Sequence, residues 1–336
     1  MLRSMYSGIS GLKNFQTKLD VIGNNIANVN TYGFKKERTV FKDLISQTQA
    51  GASSPSASRG GVNAVQVGLG SQLAAIDTVH NPGSMQTTGR TLDLAISGDG
   101  FFMVADSAAD TAPDPEIMAD IIQESNPLLA SGLTKVQYTR AGNFYMDRYG
   151  YVVNGEGKYL VGIPNPQLYA EAADPDNDPA PSAADDDKNA ADLARGVNDL
   201  NAGGSWLEDT GAAPIRIPTN AQSMSIGQDG SVFYVDVNNN LQFAGQLLMA
   251  KFPNASGLQK EGGNSFQVTA NSGNPIVQAG ISAGIGSIQS GFLEMSNVDL
   301  SEEFTEMIVA QRGFQANSRI ITTSDEILQE LVNLKR

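Results

Sequence analysis

The stretch LDVIGNNIANVNTYGFKKE, residues 19–37, joins a helical apolar pattern to an unusual number of asparagines. Leu19, Ile22, Ile26 and Val29 recur every three or four residues, which is the spacing of one helix face. Asparagines fill much of the space between them. Because the asparagine amide competes for nearby backbone groups, helix propensity does not explain this choice. The stretch therefore predicts an amphipathic helix whose amides contact a partner.

The same apolar spacing extends back to the first residues and recurs at the carboxyl end of the chain. The amino-terminal seam is Leu2, Met5, Ile9, Leu12, Phe15, Leu19, Ile22, Ile26 and Val29. The carboxyl-terminal seam is Leu300, Phe304, Met307, Gln311, Phe314, Asn317, Ile321, Ser324, Leu328 and Leu331. Just before it, the spacing of Asp299 and Glu302 predicts a helix start with a capping box.

Each seam follows near-heptad steps and contains one extra three-residue step. Two helices with matching irregularity can lie side by side, so the two termini are predicted to pair as an α-helical coiled coil. The alternative is that each helix packs on a globular domain of its own, since a lone amphipathic helix would expose its apolar stripe to water.

Between the two helices, aromatic and β-branched runs alternate with turn residues. The segments SGDGFFMV (97–104), YTRAGNFYMDRYGYVVNGEGKYLVG (138–162) and MSIGQDGSVFYVD (224–236) each place such runs around Asp-Gly, Tyr-Gly or Asn-Gly dipeptides. This is the pattern of β-hairpins. The middle of the chain is therefore predicted to be an antiparallel β domain.

These patterns predict an α+β fold in which paired N- and C-terminal α-helices bracket a discontinuous, mainly antiparallel β domain. The predicted parts are a terminal helical coiled-coil domain of residues 1–45 and 297–336, extended connectors at 46–80 and 270–296, a β-rich domain of residues 81–164 and 214–269, and an acidic insertion at 165–213.

Charge is distributed unevenly along the 336 residues. Segments 105–136 and 165–213 carry net charges of −5 and −9, which account for the whole net charge of −14, whereas residues 1–42 carry +5. Both acidic segments are rich in Ala, Asp and Pro and lack strand periodicity, so they are expected to be solvated excursions. A strongly acidic chain is also a poor nucleic-acid binder, since phosphate contacts need a positive surface.

Catalytic and metal-binding patterns are weak. Residues 280–284 match a G-x-S-x-G nucleophile elbow, but the only histidine, His80, precedes the serine instead of following it. Asp174, Asp176 and Asp178 are spaced like calcium-loop ligands, but Pro179 stands where such a loop needs glycine. The chain contains no cysteine, which excludes disulfides and cysteine-ligated zinc. No catalytic, cofactor-binding or metal site is therefore predicted.

Neither a signal peptide nor a membrane span is expected, because the first twenty residues and the remaining chain lack an uninterrupted apolar run of the required length.

Four segments resemble the bacterial flagellar rod and hook family. They are MYSGISGLKNFQTKLDVIGNNIANVNTYGFKKERTVFKDL (5–44), TTGRTLDLAISGDGFFMV (87–104), AGQLLMAKFPNASGL (244–258) and SNVDLSEEFTEMIVAQRGFQANSRIITTSDEILQELVNLKR (296–336). The likeness covers roughly residues 1–48, 83–104, 138–162 and 215–336 and leaves both acidic segments out. Within the family, the LVNLKR ending and LAISGDGFFMV favour the hook, with the distal rod as the alternative. The short insertion at 165–213 then implies a reduced outer domain.

The resemblance implies a structural subunit, exported unfolded through the flagellar channel, that self-assembles into a helical tube outside the cytoplasm. The hook tube couples the rod to the filament and transmits motor torque. The implied partners are copies of the same chain, other axial proteins such as distal rod, hook cap and hook–filament junction proteins, and the flagellar export apparatus. No cofactor, no nucleic acid and no membrane insertion are implied.

In such a tube, the seam side chains pair the helices and support assembly, while amides on other faces form polar contacts between subunits. The predicted polar set is Asn24, Asn25, Asn28, Gln311, Arg312 and Asn317. For the asparagines, the alternative is an exposed helix end, where asparagine is common; this interpretation is favoured for Asn30. The alternative class of function is a soluble adhesin or hydrolase with helical ends, which would show a fixed mass in sedimentation.

Overall fold

The computed structural model describes residues 2–55, 59–107, 133–165, 212–282 and 284–334. Most of the two acidic segments lies outside these ranges, as do the calcium-like aspartates. The chain divides into two compact units. Unit 1 contains Met1–Asn30, Lys35–Asn81 and Asn297–Arg336, and unit 2 contains Thr31–Phe34 and Pro82–Ser296.

Unit 1 contains both terminal helices, α1 (Leu2–Ala27) and α2 (Leu300–Leu334). The predicted helices at the two ends of the chain are thus confirmed. At the start of α2, the Asp299 carboxylate accepts hydrogen bonds from the backbone N–H groups of Ser301 (2.8 Å) and Glu302 (3.4 Å), which identifies Asp299 as the N-cap residue. These bonds satisfy donors that have no partner within a helix.

The strands of unit 1 form two antiparallel pairs. Their bounds are β1 (Glu37–Asp43), β2 (Ser46–Ala50), β3 (Val65–Gly68) and β4 (Ser71–Thr78). Strand β1 pairs with β4, and β2 pairs with β3. Residues 46–80, expected to be an extended connector, thus contain three paired strands. Helix α1 also contacts β4, where Asn14 Nδ2 donates a hydrogen bond of 2.8 Å to Ser71 Oγ.

The described residues of unit 2 form strands and one short 3₁₀ helix (Ala255–Gly257). Its strands are β5 (Met85–Thr87), β6 (Leu94–Ser97), β7 (Phe101–Ser107), β8 (Leu133–Thr139), β9 (Tyr145–Met146), β10 (Val152–Val153), β11 (Tyr159–Pro164), β12 (Ala213–Pro214), β13 (Ser223–Ile226), β14 (Ser231–Val235), β15 (Leu241–Leu247), β16 (Met249–Lys251), β17 (Gln259–Gly262), β18 (Ser265–Gln267), β19 (Ile276–Gln278), β20 (Ser287–Ser290) and β21 (Phe292–Glu294).

The main sheet of unit 2 has the strand order β13-β14-β15-β11-β7-β8-β18-β17, and its described pairings are antiparallel. Two smaller pairs, β20 with β6 and β21 with β5, are antiparallel as well. This confirms the predicted mainly antiparallel β structure. The sheet includes strands from both sides of the acidic insertion, because β11 precedes that segment and β13–β15 follow it.

Strand β7 is buried on both of its faces. Phe102 and Val104 contribute to one apolar core, while Phe101 and Met103 contribute to a second core on the other face. This division follows from the alternation of side chains along a strand. The continuous apolar run FFMVA is therefore typical of a central strand that is covered on both sides.

The predicted hairpins are confirmed at three turns and wrong at one. Strands β9–β10, β10–β11 and β13–β14 pair across the turns DRYG, NGEG and GQDG. The SGDG turn does not form a hairpin, because β6 pairs with β20 while β7 pairs with β8, β11 and β16. The turn instead contacts a distant segment, where the backbone N–H of Gly286 donates a hydrogen bond of 2.8 Å to the carbonyl oxygen of Asp99.

Candidate functional site

The terminal helices of unit 1 lie antiparallel and approach closely at glycines. Gly8 faces Ile321, Gly11 faces Asn317, and the Phe15 ring occupies the space that a side chain at Gly313 would need. A small residue opposite a large one permits this close approach. Closer to the start of α2, Lys18 of α1 forms an ion pair with Glu306 of α2.

Asn25 links three elements of unit 1 at one buried point. Its side chain is 1% exposed. Its Nδ2 group donates to the backbone oxygen of Glu37 in β1 (2.9 Å) and to Oε2 of Glu303 in α2 (3.2 Å), while its Oδ1 atom accepts from the backbone N–H of Glu37 (3.0 Å). One amide thus fixes the start of β1 and the start of α2 relative to α1. A buried amide with satisfied partners favours a single register of the elements that it joins.

The Glu303 carboxylate is buried beside this amide, and the residue is 5% exposed. Burial raises the pKa of Glu303 above the ordinary value for glutamate, and the hydrogen bond from Asn25 and the nearby charge of Lys36 oppose this rise only in part. Lys36 itself forms an ion pair of 2.8 Å with the neighbouring Glu302. The surroundings of the Glu303 carboxyl group therefore retain its proton to a higher pH than water would.

Both helices expose many large apolar side chains. Phe304 is 50% exposed and Ile308 is 59% exposed, although both lie within the long helix α2. The exposed apolar side chains of the two helices are Tyr6, Ile9, Leu300, Phe304, Ile308, Val309, Ile320, Ile327, Val332 and Leu334. Exposed apolar side chains in such number are typical of surfaces that bind another protein.

Three family models match separate parts of the chain. The model described as "Flagella basal body rod protein" matches residues 5–35, which include most of α1 and Asn25. The model "Flagellar hook protein FlgE/F/G D1 domain" matches residues 129–234 in unit 2. The model "Flagellar basal body rod FlgEFG protein C-terminal" matches residues 289–334, which include α2.

Whole-chain relatives agree with these matches. The flagellar basal-body rod protein FlgG of Bacillus subtilis (strain 168) is 48% identical over 338 aligned positions, which cover 100% of both chains. The chain belongs to the flagellar rod and hook protein family. The flagellar hook protein FlgE of Borreliella burgdorferi is 34% identical over 467 aligned positions, and the basal-body rod protein FlgG of the same organism is 32% identical over 340, each covering 100% of both chains.

Membership of the flagellar rod and hook family identifies this chain as an axial structural protein that is located in the flagellum. The proteins of this family are structural subunits. Among the described residues, no group of three or more His, Asp or Glu side chains is arranged to hold a metal ion. None of the described helices combines the length and the apolar character that a membrane crossing requires.

The structure places the predicted seam residues at three levels of burial. Ile22 is buried, and Ile9, Leu300 and Phe304 are exposed. The half-buried members are Met5, Leu12, Phe15, Leu19, Ile26, Val29, Met307, Phe314, Ile321 and Leu328. The side chain of Leu331 lies outside the described residues. The role of these side chains in assembly stays a prediction.

The inward line of α2 differs from the predicted seam near the start of the helix. One line of covered positions has steps that alternate between four and three residues: Glu303, Met307, Ala310, Phe314, Asn317, Ile321, Ser324 and Leu328. Beside this line, Gly313 and Ser318 are half-buried as well. This line lacks the extra three-residue step of the predicted seam. The covered residues are Glu303 instead of Phe304 and Ala310 instead of Gln311. Glu303 points inward since Asn25 binds its carboxylate, which leaves the neighbouring Phe304 on the exposed face.

The predicted polar residues have different surroundings. Asn25 uses its amide within the chain, whereas Asn24, Gln311 and Arg312 are exposed. Asn28 Nδ2 donates a hydrogen bond of 2.9 Å to the carbonyl oxygen of Asn24, which satisfies one of the last acceptors of α1. Asn317 is half-buried against Gly11. Contacts of these amides with other subunits stay a prediction.

Sequence reasoning missed three polar residues that join elements of unit 1: Glu303, Lys35 and Asn297. Lys35 is buried, and its Nζ donates a hydrogen bond of 2.8 Å to the carbonyl oxygen of Asn81. Asn297 Oδ1 accepts from the backbone N–H of Lys36 (2.8 Å), and its Nδ2 donates to the carbonyl oxygen of Val79 (2.8 Å). These residues lie in the polar segments GFKKE (33–37), SNVDL (296–300) and SEEF (301–304), and apolar periodicity assigns such polar residues to the solvent.

Proposed function

We propose that this chain is a subunit of the distal rod of the flagellar basal body and that it assembles with copies of itself through its terminal helices. The exposed apolar surface of α1 and α2 carries the assembly part of the proposal. Burying a Phe or Ile side chain contributes about 1.5 to 3 kcal/mol, so a few such residues supply a strong contact. In an assembled structure, neighbouring subunits would cover the apolar side chains that the terminal helices expose in a single subunit.

The choice of the rod rests on chain length and similarity. The rod protein of B. subtilis aligns with this 336-residue chain over 338 positions, so almost no insertion separates the two. The two hook relatives, from B. burgdorferi and Treponema pallidum, require 467 and 473 aligned positions and therefore carry long additional segments. The sequence identity to the B. subtilis rod protein, 48%, is also higher than the identities to the two hook proteins, 34% and 30%.

The hook is the second candidate, as the LVNLKR ending suggested. Its support is that both hook relatives align with the whole of this chain. In either position, the expected neighbours are other axial proteins, including hook cap and hook–filament junction proteins if the chain forms the hook, and the flagellar export apparatus during delivery.

We also propose that α1 and α2 form a coiled coil. The α1 positions that face α2 are Gly8, Gly11, Phe15, Lys18 and Asn25, and Ile22 continues this line as a buried residue. Their steps alternate between three and four residues, as do those of the inward line of α2, which is the spacing that knobs-into-holes packing needs. The insertion of Phe15 opposite Gly313 supports this arrangement.

Complementation distinguishes the rod from the hook. Expression of this chain in B. subtilis cells that lack their own rod protein FlgG should restore hooks and swimming, whereas expression in cells that lack the hook protein should not. Restoration only in the hook-deficient cells would contradict the rod proposal and favour the hook.

Sedimentation tests assembly itself. Purified full-length chain should form polymers above a threshold concentration, because each added subunit covers the exposed helix surface of the previous one. A constant monomer mass at all concentrations would contradict the assembly part of the proposal.

A further inference from the structure

Each terminal helix of unit 1 carries a line of exposed residues along its length. The line on α1 has steps that alternate between three and four residues: Tyr6, Ile9, Lys13, Gln16, Asp20, Gly23 and Ala27. The line on α2 has steps that alternate between four and three residues: Arg312, Ala316, Arg319, Thr323, Glu326, Glu330 and Asn333. Alternating steps of three and four residues are the spacing with which two helices pack side by side.

These two lines lie on the outward sides of the helix pair. Lys13 stands two positions from both Gly11 and Phe15, which face α2. Arg319 likewise stands two positions after Asn317, which faces α1. Because two positions correspond to a rotation of about 200° around a helix axis, each line points away from the partner helix of its own subunit. We call them the outward line of α1 and the outward line of α2.

The charges on the two outward lines are complementary. Lys13 and Asp20 on α1 are seven residues apart, and so are Arg319 and Glu326 on α2. In an antiparallel contact, placing Lys13 opposite Glu326 therefore also places Asp20 opposite Arg319. Within the part of the chain that the structure describes, none of these four side chains forms an ion pair. Both pairs of opposite charge are thus available for a contact with another copy of the chain.

The charges select one register of this contact. A shift of one helix by seven residues in one direction places Lys13 opposite Arg319, and the same shift in the other direction places Asp20 opposite Glu326. Either shift brings like charges together, which disfavours the shifted arrangement. Charged side chains of this kind set partner choice and orientation in coiled coils.

The same register brings two small residues together, Gly23 on α1 and Ala316 on α2. Both are exposed in the single subunit. A Cβ atom added at Gly23 would meet no heavy atom within 4 Å, so the space beside it is open. Small residues that face each other allow two helix backbones to approach closely.

We propose that the outward line of α1 in one subunit packs antiparallel on the outward line of α2 in the next copy of this chain, with Lys13 opposite Glu326 and Asp20 opposite Arg319. This inference rests on the proposed assembly of identical subunits through their terminal helices. The two lines lie on opposite sides of the helix pair, so a subunit that uses one line keeps the other for a further copy. A contact between two different surfaces can repeat in this way along a helical polymer.

The register also fixes the displacement between adjacent copies. Within one subunit, Phe15 lies opposite Gly313, so Asp20 is level with Ile308 of its own α2. In the proposed contact, Asp20 is level with Arg319 of the adjacent copy, which is eleven residues further along α2. At a rise of about 1.5 Å per residue, adjacent copies are displaced by about 16 Å along the helix axis.

Disulfide cross-linking tests this register, because the chain contains no cysteine. Gly23→Cys and Ala316→Cys in one chain place two thiols on opposite sides of the helix pair, so a disulfide can form only between subunits. Oxidation of polymers with copper phenanthroline should give a ladder of linked subunits on a non-reducing gel, since a disulfide requires Cα atoms within about 7 Å. Gly23→Cys with Thr323→Cys is the control, because position 323 lies on the same line but seven residues away.

The outcomes of cross-linking separate the register from assembly itself. A ladder from the control pair alone, or from neither pair in polymers, would overturn the proposed register and leave the proposed assembly intact. Failure of the parent chain to polymerise would overturn both.

Charge exchange tests the pair of Lys13 and Glu326. Lys13→Glu should raise the concentration needed for polymerisation about fivefold or more, since it places like charges opposite each other. Adding Glu326→Lys should return this concentration to within about twofold of the parent value. Adding Asp325→Lys instead gives the same net charge at an exposed position outside the line and should not restore assembly.

Circular dichroism of each monomer verifies that the helices are kept in these charge variants. Unchanged assembly of the Lys13→Glu protein, or equal rescue by Glu326→Lys and Asp325→Lys, would overturn the proposed charge pairing.

Discussion

In unit 2, strand β7 buries both faces, and Phe102 and Met103 have no exposed surface although they are neighbours in the chain. In unit 1, α2 covers one line of residues and exposes Phe304, Ile308 and Val309 on the rest of its surface. Unit 2 therefore covers these apolar side chains with its own residues, whereas unit 1 leaves many apolar side chains of α2 exposed. The difference favours the proposal that unit 2 carries the stability of the single subunit, while unit 1 supplies contacts between subunits.

The largest expected effect is on polymerisation, when exposed apolar side chains of α2 are removed. The double substitution Phe304→Ser and Ile308→Ser removes two side chains whose burial contributes about 3 to 6 kcal/mol together, so the concentration needed for polymerisation should rise by more than about a hundredfold. Sedimentation measures this shift, and the helical circular dichroism of the monomer should stay unchanged. Gln315→Ser, at an exposed polar position of the same helix, is the control. Assembly of the double variant at the parent concentration would show that this surface is not an interface.

Truncating a core side chain in unit 2 should instead lower the free energy of unfolding of the single subunit. Phe102→Ala removes a fully buried ring that packs edge-on against Phe144 at 5.4 Å between ring centres. The expected loss is about 3 to 5 kcal/mol of the free energy of unfolding, because the cavity cannot fully collapse. Urea unfolding followed by circular dichroism measures it. Leu241→Ala, at an exposed position of β15, should change the free energy of unfolding by less than about 0.5 kcal/mol. Similar losses for the two variants would contradict the self-contained core.

Glycine substitutions test the proposed coiled coil on its inner face. Gly313→Ala puts a methyl group into the Phe15 ring and should destabilise the helix pair by about 1 to 3 kcal/mol. Gly8→Ala is the matched control, since its nearest neighbour atom would lie at an ordinary contact distance of 3.5 Å, and alanine should stabilise the helix by about 0.5 to 1 kcal/mol.

Thermal melting of the helical signal should separate these two glycine variants. Adding Phe15→Ala to Gly313→Ala should cost less than the two single losses together, because the ring and the methyl group occupy the same space. Equal effects of Gly313→Ala and Gly8→Ala would refute the close packing of α1 on α2.

The smallest expected effect concerns the pH dependence of unit 1. Because burial raises the pKa of Glu303, its folded form holds a proton at pH values where the unfolded chain has lost it. The contribution of Glu303 to stability should therefore be largest below the ordinary glutamate pKa and fall as the pH rises through the raised value. Glu303→Gln should remove this part of the pH dependence and stabilise the helices most at neutral pH. An unchanged difference between parent and variant from acid to neutral pH would contradict the raised pKa.

Local patterns in the sequence were sufficient for the type of each element. Three- and four-residue spacing predicted both terminal helices, Asp299 marked the start of α2, and three turn sequences predicted their hairpins. These features depend on residues that are close in the chain, so they can be recognised without knowledge of the fold. The same motifs at the two ends also pointed to the correct family.

The tertiary structure decided which neighbour each element meets. Periodicity favoured Phe304 as the inward residue of α2, but Asn25, 278 positions away in the chain, binds Glu303 and turns that residue inward instead. The SGDG turn likewise has a hairpin sequence, yet β6 pairs with β20 near the end of the chain. Spacing determines which residues share a face, because this follows from the geometry of a helix or strand. Which face is covered depends on contacts between residues far apart in the chain, and only the folded structure contains them.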